Sequence, residues 1–214
     1  MKKLLFAVLS VAFLCVMVAG ANAADNGQAK WALHFAGTHD AKANTCTFQV
    51  TDCITEVVAE GPAGPGRFDV YVLALDTGGI AGSRYGLCCP EGSFYFYGWT
   101  KCSDLEIPTD PWPACGGGNA QTWGFQKPAG HVTLGIFDVY VYAGNAMMCI
   151  CDDPRVGFAE WCDGSSPEPI CLTRTVAVTP QAFGCVGFGM PGYNPCDIVA
   201  TEKTSWGAVK SLYR

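Results

Sequence analysis

Hydrophobic and polar residues alternate with a period of two along much of this sequence, most clearly within residues 67–102. At residues 68–74 apolar side chains fall on every second position, a pattern typical of a strand with one buried face. Residues 76–79 read Asp-Thr-Gly-Gly, where two glycines supply the positive φ that a hairpin turn requires. The chain returns through residues 80–88, and an aromatic run at residues 94–99 follows. This stretch predicts a three-stranded meander.

Similar short runs recur along the rest of the chain, and helical periodicity is nearly absent. The further predicted strands are residues 31–36, 47–59, 102–107, 121–125, 131–142, 147–151, 158–161, 170–178 and 185–190. The 26 glycines and 13 prolines favour turns over helices. Many short strands with turns between them are typical of a two-sheet sandwich, with a barrel as the alternative closure. We predict an all-β fold, a disulfide-stapled two-sheet β-sandwich with a short C-terminal helix.

Residues 1–23 have the pattern of a signal peptide rather than of a folded element. Lys2 and Lys3 precede the apolar run at residues 4–18, and Ala21 and Ala23 provide the small residues of a cleavage site. The apolar run is too short for a spanning helix. We expect a bacterial protein that is secreted to the extracellular space or the cell surface, with the periplasm as transit or alternative location.

The C-terminal residues 201–214 predict the helix. Trp206, Val209 and Tyr213 recur at helical spacing, and Thr204 or Ser205 can cap the first turn. Such a helix of under three turns is too short to be stable in isolation. Residues 24–200 are therefore interpreted as the sandwich domain.

A five-residue run, Phe-Asp-Val-Tyr-Val, occurs at residues 68–72 and again at residues 137–141. The flanking residues and the downstream cysteines do not match. We interpret the run as two strands of similar composition and predict one domain rather than two repeated halves.

Cysteine usage indicates an oxidising compartment. Removal of Cys15 with the signal peptide leaves an even set, which favours a disulfide framework. Cys88 and Cys89 are adjacent, so in a strand they point to opposite faces and need different partners. The connectivity stays open. The cysteines expected in disulfides are Cys46, Cys53, Cys88, Cys89, Cys102, Cys115, Cys149, Cys151, Cys162, Cys171, Cys185 and Cys196.

The charge of the chain limits its partners. Without Lys2 and Lys3, 11 basic residues remain against 19 acidic ones, a net charge of −8. No cluster of lysine and arginine occurs, so nucleic acids and anionic membranes are poor partners. The partner expected is an extracellular protein or a glycan.

The return strand of the meander, with the sequence Gly-Ile-Ala-Gly-x-x-Tyr-Gly-Leu at residues 79–87, resembles secreted bacterial β-sandwich modules of the broadly cohesin-like or immunoglobulin-like kind. The closing Trp-Gly-x-Val-Lys-Ser-Leu-Tyr-Arg resembles a tail found on various exported bacterial proteins. Cys88 and Cys89 stand where such modules usually carry a tyrosine–aspartate pair. The resemblance therefore implies a fold but transfers no partner-binding residue.

Catalytic and metal motifs are scarce. The chain has 3 histidines and none of the usual zinc-protease, nucleophile-elbow or phosphate-loop motifs. We expect a non-enzymatic structural, adhesion or interaction module without a cofactor. A carbohydrate-active hydrolase is one alternative, because two carboxylates suffice for that chemistry. A periplasmic soft-metal binder is another, with Met147, Met148, Cys149 and Cys151 as ligands.

Aromatic residues provide the strongest functional hypothesis. Tyr95, Tyr97 and Trp99 lie on alternate positions, and the period of two predicts that they share one face. Trp112 and Trp123 follow. Exposed tyrosine and tryptophan rings give a large contact area for a glycan or protein at a low cost in entropy. The alternative is that these rings pack into the core or cover it.

Overall fold

The computed structural model describes residues 26–43, 45–142, 144–164, 170–177 and 180–197. The predicted signal peptide and the predicted C-terminal helix lie outside these residues. Within them the chain forms strands, one short α-helix and one 3-10 turn at Pro180–Ala182. The elements are β1 (Lys30–Thr38), α1 (Cys53–Glu56), β2 (Glu60–Gly61), β3 (Gly66–Thr77), β4 (Ile80–Glu91), β5 (Phe94–Lys101), β6 (Leu105–Thr109), β7 (Gly118–Lys127), β8 (Gly130–Val141), β9 (Ala146–Cys151), β10 (Ala159–Cys162), β11 (Cys171–Arg174) and β12 (Cys185–Phe188).

The strands form two sheets. The first sheet has four strands in the order β1-β3-β8-β5. The second sheet has eight: β11-β10-β4-β9-β12-β2 form its main path, β7 pairs with β4, and β6 pairs with β7. The two sheets enclose a common hydrophobic core, so the predicted all-β two-sheet sandwich is confirmed. The predicted three-stranded meander is wrong, because β3 and β5 each pair with β8 in the first sheet while β4 crosses to the second sheet.

Large rings fill the space between the sheets. Trp31 in β1 stacks on Trp161 in β10 with ring centroids 3.7 Å apart, which joins the two sheets directly. The indole N–H of Trp31 donates to the Ser83 hydroxyl at 3.1 Å, so this buried donor is satisfied. The even positions of β3 from Phe68 to Ala74 all belong to this core, as the alternation predicted.

The two Phe-Asp-Val-Tyr-Val runs are neighbours in space. They lie in β3 and β8, which pair antiparallel with Asp69 opposite Asp138. Phe68 lies opposite Val139, and Val70 lies opposite Phe137. The repeated run therefore places two carboxylates side by side on the outer face of the first sheet.

Residues 39–59 cover part of that outer face. The prediction of a strand at residues 47–59 is wrong: the segment forms turns and α1. Asp52 caps α1, because its carboxylate accepts the backbone N–H of Ile54 at 2.9 Å. Val50 and Val57 pack against Leu73 in a second hydrophobic cluster. β3 is consequently buried on both faces along this part.

His34 of β1 is enclosed by the same segment. Its Nδ1 accepts the backbone N–H of Val58 at 3.0 Å, and its ring stacks on Phe48 with centroids 4.9 Å apart. Burial lowers the pKa of His34 from 6.5 to about 4, because the charged imidazolium is poorly solvated there. The imidazole is therefore neutral near pH 7.

The twelve cysteines that follow the predicted signal peptide form six disulfides, which confirms the predicted framework. The bonds are Cys46–Cys102, Cys53–Cys196, Cys88–Cys151, Cys89–Cys115, Cys149–Cys185 and Cys162–Cys171. The adjacent Cys88 and Cys89 have different partners, as their alternation predicted. Cys46–Cys102 and Cys53–Cys196 anchor the covering segment 39–59.

Candidate functional site

Four tyrosines lie together on the outer face of the first sheet, beyond the covering segment. β5 and β8 are hydrogen-bonded neighbours, and Tyr95 lies directly opposite Tyr140. Tyr97 and Tyr142 lie two residues further along their own chains and face the same side, since side chains alternate along a strand. Tyr95, Tyr97 and Tyr142 are 51%, 54% and 53% exposed. We call these four residues the tyrosine patch.

The rings of the patch form a shallow depression. Tyr95 and Tyr97 meet edge to face with centroids 4.9 Å apart, and Tyr140 and Tyr142 meet in the same way at 5.3 Å. The four side chains together line a depression of about 450 Å³, which lies in the size range of small-ligand sites. Exposed ring faces and phenol hydroxyls are therefore presented together.

Trp99 does not share this surface, which corrects the prediction that Tyr95, Tyr97 and Trp99 lie on one face. A bulge between Phe96 and Gly98 shifts the pairing of β5 with β8 by one residue. Because a bulge reverses the alternation beyond it, Trp99 turns toward the core. Its ring packs on Phe137 with centroids 4.5 Å apart, and its indole N–H donates to Glu106 at 2.6 Å.

Trp112 and Trp123 are also separate from the patch. Trp112 packs against the core and contacts Trp99 edge to face at 5.1 Å. Trp123 is 5% exposed, and its indole N–H donates to the carbonyl of Cys102 at 2.9 Å. For these rings and Trp99 the core interpretation fits the structure, so of the five predicted residues the structure brings only Tyr95 and Tyr97 together on this surface.

Tyr140 and Tyr142 are the residues that the sequence reasoning missed. The alternation of the predicted strand at residues 131–142 does place both on one face. They join Tyr95 and Tyr97 because β5 pairs with β8, which places Tyr95 opposite Tyr140 although the two are 45 positions apart in the sequence. No local pattern specifies that pairing, because strand order is decided by the whole sheet.

Arg67 forms the polar border of the patch. Its guanidinium lies 4.2 Å from the centroid of the Tyr97 ring, a cation–π contact. The same group donates two hydrogen bonds to Asp138, one of them from Nε at 2.7 Å. Hydrogen bonding to Asp138 raises the pKa of Arg67, so the guanidinium stays charged. Arg67 therefore holds a fixed position between an aromatic ring and a carboxylate.

His39 and Asp69 continue this polar border. His39 Nδ1 lies 2.7 Å from Asp69 Oδ1 and 3.6 Å from Asp138 Oδ1. The backbone N–H of Asp40 donates to the other oxygen of Asp69 at 2.8 Å. Two like charges opposite each other would destabilise the strand pair. Here His39 and Arg67 provide the compensating donors.

Ligand atoms of His39, Asp69 and Asp138 lie within 4.8 Å of one another, close enough for a metal ion. All four carboxylate oxygens, however, are already hydrogen-bonded to protein groups. A cation would have to displace the guanidinium of Arg67 from Asp138. The arrangement is thus that of a hydrogen-bonded border rather than of a prepared metal centre.

The alternative of a soft-metal binder does not fit the structure. Cys149 is bonded to Cys185 and Cys151 to Cys88, so neither sulfur is a thiolate. Met148 is fully buried in the core between the sheets, as alternation along β9 requires. The four proposed ligands therefore do not converge on one site.

A second cavity, of about 580 Å³, lies over β9 and is lined largely by disulfides and apolar side chains. Val176 and Gln181 form part of its wall. These two residues flank positions 178 and 179, which lie outside the described residues. The cavity contains no cluster of charged groups that would define a reaction.

Fold and surface together define a disulfide-cross-linked β-sandwich that exposes an aromatic patch with a charged border. No protein-family model and no curated protein matches the chain. Among solved structures, a cohesin module from the family 33 glycoside hydrolase of Clostridium perfringens ATCC13124 is similar, with a TM-score of 0.44 and 7% identity, over 74% of this chain and 95% of that chain. A likeness at this level carries no argument about fold or activity. None of the helices in the described residues has the length and apolar character that crossing a bilayer requires.

Proposed function

We propose that this chain is an extracellular, non-enzymatic interaction module that binds its ligand through the tyrosine patch. The observation that carries the proposal is the exposure of Tyr95, Tyr97 and Tyr142 on a face whose other half is covered by residues 39–59. Burial of these rings against a ligand would be favourable, because each is a large apolar surface left in water. Structural or adhesive roles at a cell surface would use the same contact.

The extracellular location is supported by the disulfides. Six bonds are stable in an oxidising compartment and rare in the cytosol of mesophiles. The signal-peptide pattern at residues 1–23 supports the same location. Cross-links of this number would also resist unfolding where no chaperone is present.

A carbohydrate-active hydrolase is the alternative, and Asp69 with Asp138 is the pair beside the patch that would perform it. A general acid needs a proton that it can donate to the leaving group. Both oxygens of Asp138 accept hydrogen bonds from Arg67, and those of Asp69 are occupied by the backbone N–H of Asp40 and by contact with His39 Nδ1. The geometry therefore favours binding over hydrolysis at this place.

The test is an array of glycans printed beside a panel of secreted proteins and probed with the fluorescently labelled mature protein. We expect binding that is lost in the double variant Tyr95→Ala/Tyr97→Ala. Phe125→Ala is the matched control, because Phe125 is 87% exposed but lies on β7 of the other sheet. Equal binding by both variants would contradict the proposal, as would release of reducing sugar from a bound glycan that stops in Asp138→Asn.

A further inference from the structure

The tyrosine patch also indicates the class of its ligand. We infer that it takes a neutral oligosaccharide of pyranose rings, laid across β5 and β8. This inference rests on the proposed function, since it names the ligand of the same surface. Area, charge and ring chemistry each support it.

Area argues against a folded protein as the main partner. A stable protein interface buries roughly 800 Å² and about 20–30 residues on each side. The patch consists of four tyrosines. It ends at the covering segment 39–59 on one side and at the edge strand β5 on the other. The bulge at Tyr97 and Gly98 also interrupts β5, which disfavours addition of a partner strand at this edge. A short chain of sugar rings fits the available surface better.

Charge argues against an acidic ligand. Arg67 at the border is already paired with Asp138, and Asp69 behind it is buried and contacts His39. The whole chain also has a net charge of −6. A uronic acid, sulfate or phosphate would meet like charge here. An uncharged polyol avoids this electrostatic repulsion and can still form hydrogen bonds with Arg67 and Asp138.

Ring chemistry matches a pyranose. The face of an aromatic ring is electron-rich, so it attracts the polarised C–H groups on one face of a sugar ring. Tyrosine adds a hydroxyl that donates and accepts at the margin of that contact. The patch supplies two edge-to-face tyrosine pairs on neighbouring strands, which is a repeated platform for a repeated ligand.

Gly98 keeps the border of the patch accessible. It lies opposite Asp138 in the pairing of β5 with β8, so a side chain there would point to the outer face beside that carboxylate. A Cβ at Gly98 would meet nothing within 4 Å. The open space lets sugar hydroxyls reach Asp138 and Arg67 next to the rings. It also offers a way to block the site without removing any tyrosine.

The experiment is isothermal titration of the mature protein with cellohexaose, maltohexaose, xylohexaose, mannohexaose and chitohexaose, and with oligogalacturonate as the acidic probe. We expect at least one neutral hexaose to bind, and its affinity to be unchanged between 0.1 and 0.5 M salt because the ligand carries no charge. Tyr140→Ala should weaken it about tenfold through loss of one ring. Gly98→Val should weaken it at least as much, and Phe125→Ala should leave it unchanged.

The outcomes separate the two proposals. If no neutral hexaose binds but a secreted protein on the array binds in a Tyr140-dependent manner, the glycan inference is wrong and the interaction module stands. Preference for oligogalacturonate would also overturn the inference. If every ligand binds equally well to Tyr140→Ala and Gly98→Val, the patch is not the site and both proposals fail. Circular dichroism of each variant identifies any that has not folded, and Tyr140→Phe then replaces Tyr140→Ala as a milder removal of the hydroxyl alone.

Discussion

Removal of the disulfide between Cys53 and Cys196 tests whether the cross-links hold the fold as the structure indicates. This bond has the largest sequence separation of the six, 143 residues. Both cysteines belong to the second hydrophobic cluster, and their bond ties Cys53 of the segment 39–59 to Cys196. The double variant Cys53→Ala/Cys196→Ala removes the bond and leaves no free thiol to form wrong pairs.

The magnitude follows from loop closure in the unfolded chain. As an isolated cross-link, a loop of this length would stabilise the protein by about 5 kcal/mol. Three other bonds, Cys46–Cys102, Cys88–Cys151 and Cys149–Cys185, remain closed and provide a shorter path between the same two residues. That path is roughly 34 residues long, which reduces the expected loss to about 4 kcal/mol.

The matched control is Cys162→Ala/Cys171→Ala, because that bond closes a loop of separation 9 between directly paired strands. Its removal should cost about 2.5 kcal/mol. Urea unfolding of the non-reduced proteins, followed by tryptophan fluorescence, measures both losses. An equal loss of stability in the two variants, or a larger loss in the control, would refute the loop argument. A free thiol at Cys53 in the unmodified protein would refute the assigned bond.

Three further perturbations have outcomes that the structure determines. As pH drops from 6.5 to about 4, the free energy of unfolding of the protein should fall by about 3 kcal/mol more than that of the variant His34→Gln, because the unfolded chain protonates His34 in this window and the folded chain does not. Urea titrations at each pH measure both stabilities, and parallel stability curves for the two proteins would contradict the prediction. Trp31→Ala should cost roughly 4 kcal/mol through loss of the stack on Trp161, and a melting temperature within a few degrees of the parent would show that this contact is not central. Gly135→Ala should cost about 1–3 kcal/mol, since its Cβ would collide with the Trp99 ring, whereas Gly98→Ala on the neighbouring strand should be nearly neutral. A lower melting temperature for Gly98→Ala than for Gly135→Ala would show that the pairing of β5 with β8 is misassigned.

The covering segment shows where local pattern misleads. Residues 47–59 contain enough β-branched and apolar residues to predict a strand, yet Asp52 caps a helical turn there. The apolar residues Val50 and Val57 serve a different purpose, which is to bury the outer face of β3. A single sequence contains no direct signal that distinguishes an apolar strand from an apolar cover.

Only two of the four residues of the tyrosine patch could be predicted from the sequence. The alternation in β5 predicts that Tyr95 and Tyr97 share one face, but only the structure shows that this face is exposed. The bulge at Gly98 then sends Trp99 inward, and a bulge has no local pattern beyond the glycine itself. Tyr140 and Tyr142 join the patch because β8 happens to be the neighbour of β5.

The sequence by itself determined the class of this protein: alternation every second residue, frequent turns and an even set of cysteines after residue 23 are local or compositional properties, and they specified cross-linked sheets. The tertiary structure alone decided the disulfide partners, the covered half of the first sheet and the membership of the tyrosine patch. The physical reason is that each of these depends on which strands pair across long stretches of chain, and pairing minimises the free energy of the whole sandwich rather than of any one segment.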